Sequence, residues 1–391
     1  MSDFNLASLI SELDKMAVDY LKEYLSRFPF LKLPTVESSI QSNDRQSKSY
    51  FSKTYDNLYK NFSNGKTSYS SFRIGNIEIK RPLVSAPLAG ISDNTYRIMA
   101  KAFGAALTFS EMVTSYGICY DHKSSLELAE ITDFERPCTV QIFGSEPDII
   151  SKAAKIVEPK ADIIDINMGC PVAKVLKSKS GGYLLQDEEK IKSIISRVTS
   201  AIKKPVTVKV RIGWDKNSIN VLKVAEIAES CGASAITIHG RTVKQGFSGE
   251  VNYEIIKQVK ERIKIPVIVS GDIDSPEKAK QVLDYTGCDA LMIGRASKGS
   301  VWIFSDILIS LLASSNRGFP GYRPDINWKK KFAIIYLKFL IYFKGEEKAV
   351  KEFRKYLSWI FKGVRGVSRI KTDFFKVITF SDVENAISYL E

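Results

Sequence analysis

From residue 83 onward, short apolar runs rich in β-branched residues recur at 83–86, 107–110, 139–143, 163–166, 206–210, 235–238, 267–269 and 290–293. Most are separated by segments of helical periodicity. Helix-start signals open some of these, among them Ser145-Glu146-Pro147-Asp148 and Asp274-Ser275-Pro276-Glu277. A strand followed by a helix, eight times over, predicts an α/β fold of the (β/α)8 TIM-barrel type. The rival is an open, doubly wound sheet; the count of eight and the lack of a GxGxxG phosphate loop favour the barrel. Just upstream, residues 72–79 alternate around Gly75-Asn76 and predict a tight hairpin.

The flanks differ. Leu6, Leu9, Ile10, Leu13, Met16, Ala17, Tyr20, Leu21, Tyr24 and Leu25 repeat at helical spacing, which predicts an amphipathic helix that must dock on something. Residues 37–71 shift to Ser, Asn, Lys and Tyr and read as a linker, with Tyr50, Phe51, Tyr55, Leu58, Tyr59 and Phe62 available to pin it to a surface. Beyond Trp302-Ile303-Phe304 the strand rhythm stops, and helical patterns cover 327–343, 348–361 and 382–390. The expected organisation is an accessory extension over 1–71, a barrel over 72–312 and a basic helical domain over 313–391. The apolar run at 332–343 is broken by Lys338 and falls short of the roughly 20 residues that span a bilayer, so it predicts a packed helix and no membrane partner.

Composition adds a partner class. A hydrophobic content of 44% is ample for a core, while a formal charge of +13 and a pI near 9.3 favour a polyanion. The five cysteines, Cys119, Cys138, Cys170, Cys231 and Cys288, are widely spaced and odd in number. They suggest neither a disulfide framework nor a metal site, and they fit a reducing cytoplasm. No basic segment followed by an apolar core opens the chain, so no signal peptide is expected.

Barrel chemistry sits where strands end. The unusual residues fall there: Pro87-Leu88-Ala89-Gly90 after the first run, Gln141 on the third, Asn167 and Cys170 after the fourth, and Lys209 and Arg211 on the fifth. His239-Gly240-Arg241, Ser270-Gly271-Asp272 and Gly294-Arg295 end the last three. Glycines after the last two strands, with Arg295, suit a bound phosphate. Lys209, Gln141 and His239 would then meet a polar, electron-accepting ring. Residues 167–171 read as the turn leaving strand four, with Cys170 held at the mouth; by itself such a thiol can protonate a carbanion-like carbon, attack an electrophile or simply pack.

Six strings in this order resemble the tRNA-dihydrouridine synthases, closest to the bacterial-type branch. They are Pro87-Leu88-Ala89-Gly90-Ile91-Ser92-Asp93, Val140-Gln141-Ile142-Phe143-Gly144-Ser145, Asp165-Ile166-Asn167-Met168-Gly169-Cys170-Pro171, Val208-Lys209-Val210-Arg211, His239-Gly240-Arg241-Thr242 and Met292-Ile293-Gly294-Arg295. The resemblance covers roughly residues 72–375. It implies a flavin-dependent barrel that reduces the C5–C6 double bond of specific uridines in tRNA, with FMN at the barrel mouth and NADPH as reductant. By the same resemblance, Pro87, Leu88, Ala89, Gln141, Lys209, His239, Ser270, Gly271, Asp272, Gly294 and Arg295 would hold FMN.

Cys170 would be the general acid. Asn167 would meet the uracil edge, Arg241 with Lys209 and His239 would face developing oxyanion charge, and Lys174 and Lys177 would clamp RNA phosphate. Arg354, Lys355 and Lys362 resemble the family's C-terminal RNA-binding segment. The chain departs from the family pattern at Ser270, where Asn is usual, at Leu88, where Met is usual, and at Tyr356, where His is usual. A monomer is expected. The competing readings are a flavin reductase of a free pyrimidine, ribosomal RNA as the substrate, and a flavin-free RNA-binding protein on a decayed barrel.

Overall fold

The computed structural model describes residues 4–27, 55, 71–313, 321–365 and 367–391. The hairpin is present: β1 (Phe72–Ile74) pairs antiparallel with β2 (Ile77–Ile79). Eight parallel strands follow: β3 (Leu83–Ser85), β4 (Thr108–Thr114), β5 (Cys138–Phe143), β6 (Ile163–Met168), β7 (Val206–Arg211), β8 (Ala235–His239), β9 (Val267–Ser270) and β10 (Ala290–Ile293). Their order is β3-β10-β9-β8-β7-β6-β5-β4, and a parallel bridge from Val84 to Leu107, with Ser85 N–H donating to Leu107 O at 2.9 Å, closes the barrel.

All eight predicted runs are strands. The eight strands are buried almost throughout, as expected of parallel strands covered on both faces. Two boundaries differ. β4 continues past Ser110 to Thr114 through a register shift between Phe109 and Met112. β6 continues to Met168, because Asn167 pairs with Lys209 and Met168 with Val210, so Asn167 belongs to the strand and the turn begins at Gly169.

The hairpin plugs the bottom of the barrel, with Phe72, Ile74 and Ile79 packed in one apolar cluster with Val84, Phe109, Ile163, Ala235, Ile268 and Met292. That leaves the opposite, C-terminal ends of the strands as the open mouth.

The N-terminal segment is part of the fold. The helix α1 (Leu6–Ser26) buries Leu9, Ile10, Leu13, Met16, Ala17, Tyr20, Leu21 and Tyr24, the stripe its spacing predicts. Its partners are α2 (Asn94–Ala102), which follows β3, and the long C-terminal helix α4 (Ile326–Lys344). Tyr20 O–H donates to Asp306 on α3 (Ile303–Leu312) at 2.5 Å, and Tyr20 packs against Phe103, Tyr322 and Trp328. Tyr55 is buried, its hydroxyl 2.6 Å from that of Ser305. The remaining aromatics expected to pin the linker lie outside the described residues.

The helical domain pairs α4 with α5 (Glu346–Ile360) and adds Val367–Phe374 and Phe380–Ser388. Phe332 of α4 meets Phe103 and Trp302, which seats the domain on the barrel's flank. The expected boundary at 312/313 falls beside residues 314–320, outside the described set. No helix among the described residues is long and apolar enough to cross a membrane, and none of their His, Cys, Asp or Glu side chains cluster as a metal site.

Candidate active site

Strand register assembles the site. At the C-terminal ends, Gln141 lies beside Asp165, Asn167 beside Lys209, Arg211 beside His239, and His239 beside Ser270. Ser270 in turn lies beside Met292, which carries the ring round to Gly294 and Arg295. Residues far apart in sequence share one rim because neighbouring strands run level.

A continuous hydrogen-bond chain crosses its floor. Thr207 Oγ1–H and Gln141 Nε2–H donate to the buried Asp165 carboxylate at 2.6 and 2.7 Å. Asn167 Nδ2–H donates to Gln141 Oε1 at 2.9 Å, and Asn167 Oδ1 accepts the backbone N–H groups of Gly169 and Cys170 at 3.1 and 3.0 Å. The turn is tight against β7: a methyl on Gly169 would stand 3.1 Å from the Val210 carbonyl carbon. Arg211 closes it from outside, donating to Gly169 O at 3.0 Å.

Burial pushes the Cys170 thiol above its ordinary pKa, with a backbone hydrogen bond from Val172 and the charges of Lys209 and Arg211 pulling the other way. The thiol therefore stays protonated at neutral pH. Burial lowers Lys209 to about 8, with Arg211 adding to the effect, and raises Asp165 to about 7. His239 is lowered to about 2, first by burial and then by Lys209 and Arg211, so it is a neutral imidazole.

Cations converge on the other half of the rim. Arg241 and Arg295 both reach Asp272, Arg241 through two contacts and Arg295 at 2.5 Å. Arg211 and Arg295 lie over the Phe247 ring, 5.5 and 4.7 Å from its centroid. Arg241 and Arg295 pair with Asp272, while Lys209 and Arg211 make no ion pair with a carboxylate among the described residues, so positive charge is in excess here and suits an anion.

The comparisons with known proteins now have a geometry to be set against. A family model described as dihydrouridine synthase (Dus) matches residues 84–389. The tRNA-dihydrouridine synthase B of Pasteurella multocida (strain Pm70) is 44% identical over 295 residues, covering 75% of this chain and 87% of its own. The chain belongs to the dihydrouridine synthase family. The tRNA-dihydrouridine synthase B of Escherichia coli (strain K12) is 41% identical over 321 residues, covering 82% of this chain and 97% of its own. Among solved structures, the old yellow enzyme homologue from Zymomonas mobilis is 14% identical with a TM-score of 0.47, covering 67% of this chain and 96% of its own. The reaction that names the family saturates the uracil ring of uridine, a two-electron reduction, and this dihydrouridine synthase is accordingly an oxidoreductase.

Most residues singled out in the sequence of this dihydrouridine synthase come together. Pro87, Leu88 and Ala89 form the loop after β3, and Gly294 lies beside it: a methyl there would make ordinary contacts, 3.5 Å from Ala86 Cβ and 3.8 Å from Leu88 Cδ2. Cys170, Lys209, Gln141, His239, Ser270, Gly271 and Asp272 line the same mouth, and Lys174 and Lys177 stand exposed on the short helix after Cys170.

Four residues expected at the RNA are engaged differently. Asn167 has its acceptor committed to the Cys170 turn. Arg241 is only 2% exposed and is used up on Asp272 and the carbonyls of Ser248 and Gly249. Arg354 donates to Val377 O at 2.6 Å, joining two parts of the helical domain. Lys355 donates to Gly90 O at 2.5 Å, while Lys362 is exposed. Sequence reasoning assigned no role to Asp165, Glu111 or Phe247. For Asp165 the available signal was a carboxylate inside an apolar strand run, which calls for a partner or a function; Glu111 lies just past the run at 107–110 and joins the strand only in the structure.

Proposed function

We propose that this chain reduces the C5–C6 double bond of uridine in tRNA, holding FMN across the barrel mouth, drawing electrons from NADPH and working as a cytoplasmic monomer. The observation that carries the reading is the Cys170 turn, fixed by Asn167 within electrostatic reach of Lys209 and Arg211. The curated relatives named above act on tRNA, and a net charge of +13 suits such a polyanion.

The residues present fit a flavin. His239 Nδ1 is buried with no hydrogen-bond partner among the described residues, which leaves a polar atom for a ligand to satisfy. Gly271, at φ +126°, holds a backbone conformation that strains any other residue, and a methyl there would crowd the Val251 side chain at 3.0 Å. The excess of Arg and Lys beside it suits a phosphate. Gln141, Lys209, His239, Ser270, Gly271, Asp272, Gly294 and Arg295, with the loop Pro87-Leu88-Ala89, would hold FMN.

Bound there and reduced by NADPH, FMN would supply a hydride for uracil C6. The protein's part is the proton and the charge. Cys170, kept protonated by burial, delivers its proton to C5, a contribution of about 10²–10⁴ in rate. Lys209 and the neutral His239 stabilise negative charge developing on the uracil carbonyl. A target base must leave its stack to reach the mouth, so Lys174, Lys177 and Lys362 are assigned to phosphates flanking it.

The test is incubation of the purified chain with NADPH and unmodified tRNA or, in parallel, unmodified ribosomal RNA, followed by mass analysis of each RNA. Dihydrouridine formation by a yellow, FMN-containing protein is the expected result. A colourless protein that takes up no FMN, or product in ribosomal RNA alone, overturns the reading.

A further inference from the structure

We propose that the helical domain sets the position of the first barrel loop, with Lys355 as a positioning residue for Pro87, Leu88 and Ala89. The functional meaning rests on the reading of that loop as part of the flavin site.

Gly90, at the loop's exposed tip, is held at both ends of its backbone. Its N–H donates to the Glu111 carboxylate on β4, and its C=O accepts from Lys355 Nζ of α5 at 2.5 Å. Gly90 adopts φ +71°, a left-handed conformation that glycine reaches without penalty and that lets the tip present these two groups to different partners. Glu111 lies inside the β4 register shift between Phe109 and Met112, where a bulge re-aims a side chain.

The grip continues along the chain. Tyr356 O–H lies 3.4 Å from Ile91 O, and Lys344 of α4 donates to Asp93 at 2.5 Å while a second bond of 2.5 Å ties it to Glu352. Within the loop, Ser92 Oγ–H donates to Ala86 O at 3.0 Å and Ser92 Oγ accepts Leu88 N–H at 2.9 Å. Residues 86–92 therefore form one small closed unit. Moving Gly90 moves Leu88, and with it the surface packed near Gly294.

At the tip itself apolar packing adds nothing to this link, since a methyl on Gly90 would meet no atom within 4 Å. A cavity of about 790 Å³ opens beside the link, bordered by Gly90, Glu111, Lys344, Lys348 and Lys355. The coupling between domains at the loop tip is carried by charge-assisted hydrogen bonds, which are worth about twice neutral ones.

Lys355→Met, Lys355→Arg and Gly90→Ala in the full chain test this through three readouts: FMN affinity of the deflavinated protein, tRNA affinity, and amide hydrogen exchange across residues 86–93. In Lys355→Met we expect FMN affinity to fall by about three- to tenfold and loop exchange to rise by about tenfold, with tRNA affinity within about twofold of wild type. Lys355→Arg should restore FMN affinity, and Gly90→Ala should reproduce the Lys355→Met pattern with Lys355 intact. Unchanged loop exchange in Lys355→Met overturns the proposal, and a tenfold loss of tRNA affinity alone makes Lys355 an RNA contact instead. A wild-type chain that takes up no FMN sinks the functional reading, while the exchange measurement still decides the positioning role.

Discussion

Asn167 Oδ1 accepts the backbone N–H groups of both Gly169 and Cys170, so one side-chain oxygen fixes the turn that carries the thiol. The amide is oriented in turn, because Gln141, itself held by Asp165, accepts from Asn167 Nδ2–H. Asn167→Ala should lower turnover by about tenfold or more and cost about 1–3 kcal/mol of stability, since two buried N–H groups lose their acceptor. Asn167→Asp keeps that acceptor and should lose less. Turnover and urea denaturation of both variants check the order, and an Asn167→Ala enzyme within twofold of wild type would refute the positioning role.

Cys170→Ala should retain its flavin and lose about 10²–10⁴ in product formation, because it removes a proton source and no cofactor contact. Absorbance of the purified variant and single-turnover product analysis separate the two effects. Full activity would show that the proton comes from elsewhere.

Lys209 titrates in the folded chain near 8, below its ordinary 10.5, because burial disfavours the ammonium. Below about pH 8 both folded and unfolded chains carry this charge, and the folded one bears the burial cost. Between about 8 and 10.5 the unfolded chain binds more protons, so stability from this group rises with pH. Lys209→Met should therefore stabilise the flavin-free protein at pH 7, with a gain that shrinks as pH rises through that window, while turnover falls. Chemical denaturation at pH 7 and pH 10 checks the sign; an equal gain at both would contradict it.

Asp306, buried and bonded to Tyr20, is raised to about 8 by burial. A carboxyl raised above its ordinary 3.8 binds more protons when folded, so its contribution to stability falls as pH climbs from about 4 to 8. Asp306→Asn should flatten that part of the stability profile. Tyr20→Phe should cost about 1–3 kcal/mol by leaving the buried carboxyl with the Tyr322 backbone N–H but without its hydroxyl partner, and should loosen α1. Stability profiles from pH 4 to 8 and limited proteolysis near residues 4–27 report the two effects; a Tyr20→Phe protein as stable as wild type would make α1 a passive appendage.

Burial sites and periodicities were legible in the chain: the eight strands, the hairpin, the stripe on α1 and the helical tail all follow from spacing that any partner surface would satisfy. Their ends were less so. β6 runs on to Met168 because β7 offers a level partner, a pairing that residues 163–168 alone do not specify. The site residues were legible as types at strand ends, and polar side chains at such positions are costly unless used.

What those side chains bond to was decided in three dimensions. The sequence by itself determined the barrel, its rim and the family, because hydrophobic period and motif order are local or linear properties. Only tertiary structure decided that Arg241 and Arg354 are consumed internally, that Lys355 reaches back 265 residues to Gly90, and that α1 completes the core beside α4. Hydrogen-bond partners are set by distance across packed elements, and a cation at the surface of a helix reads the same in the linear chain whether it meets phosphate, carboxylate or a backbone carbonyl.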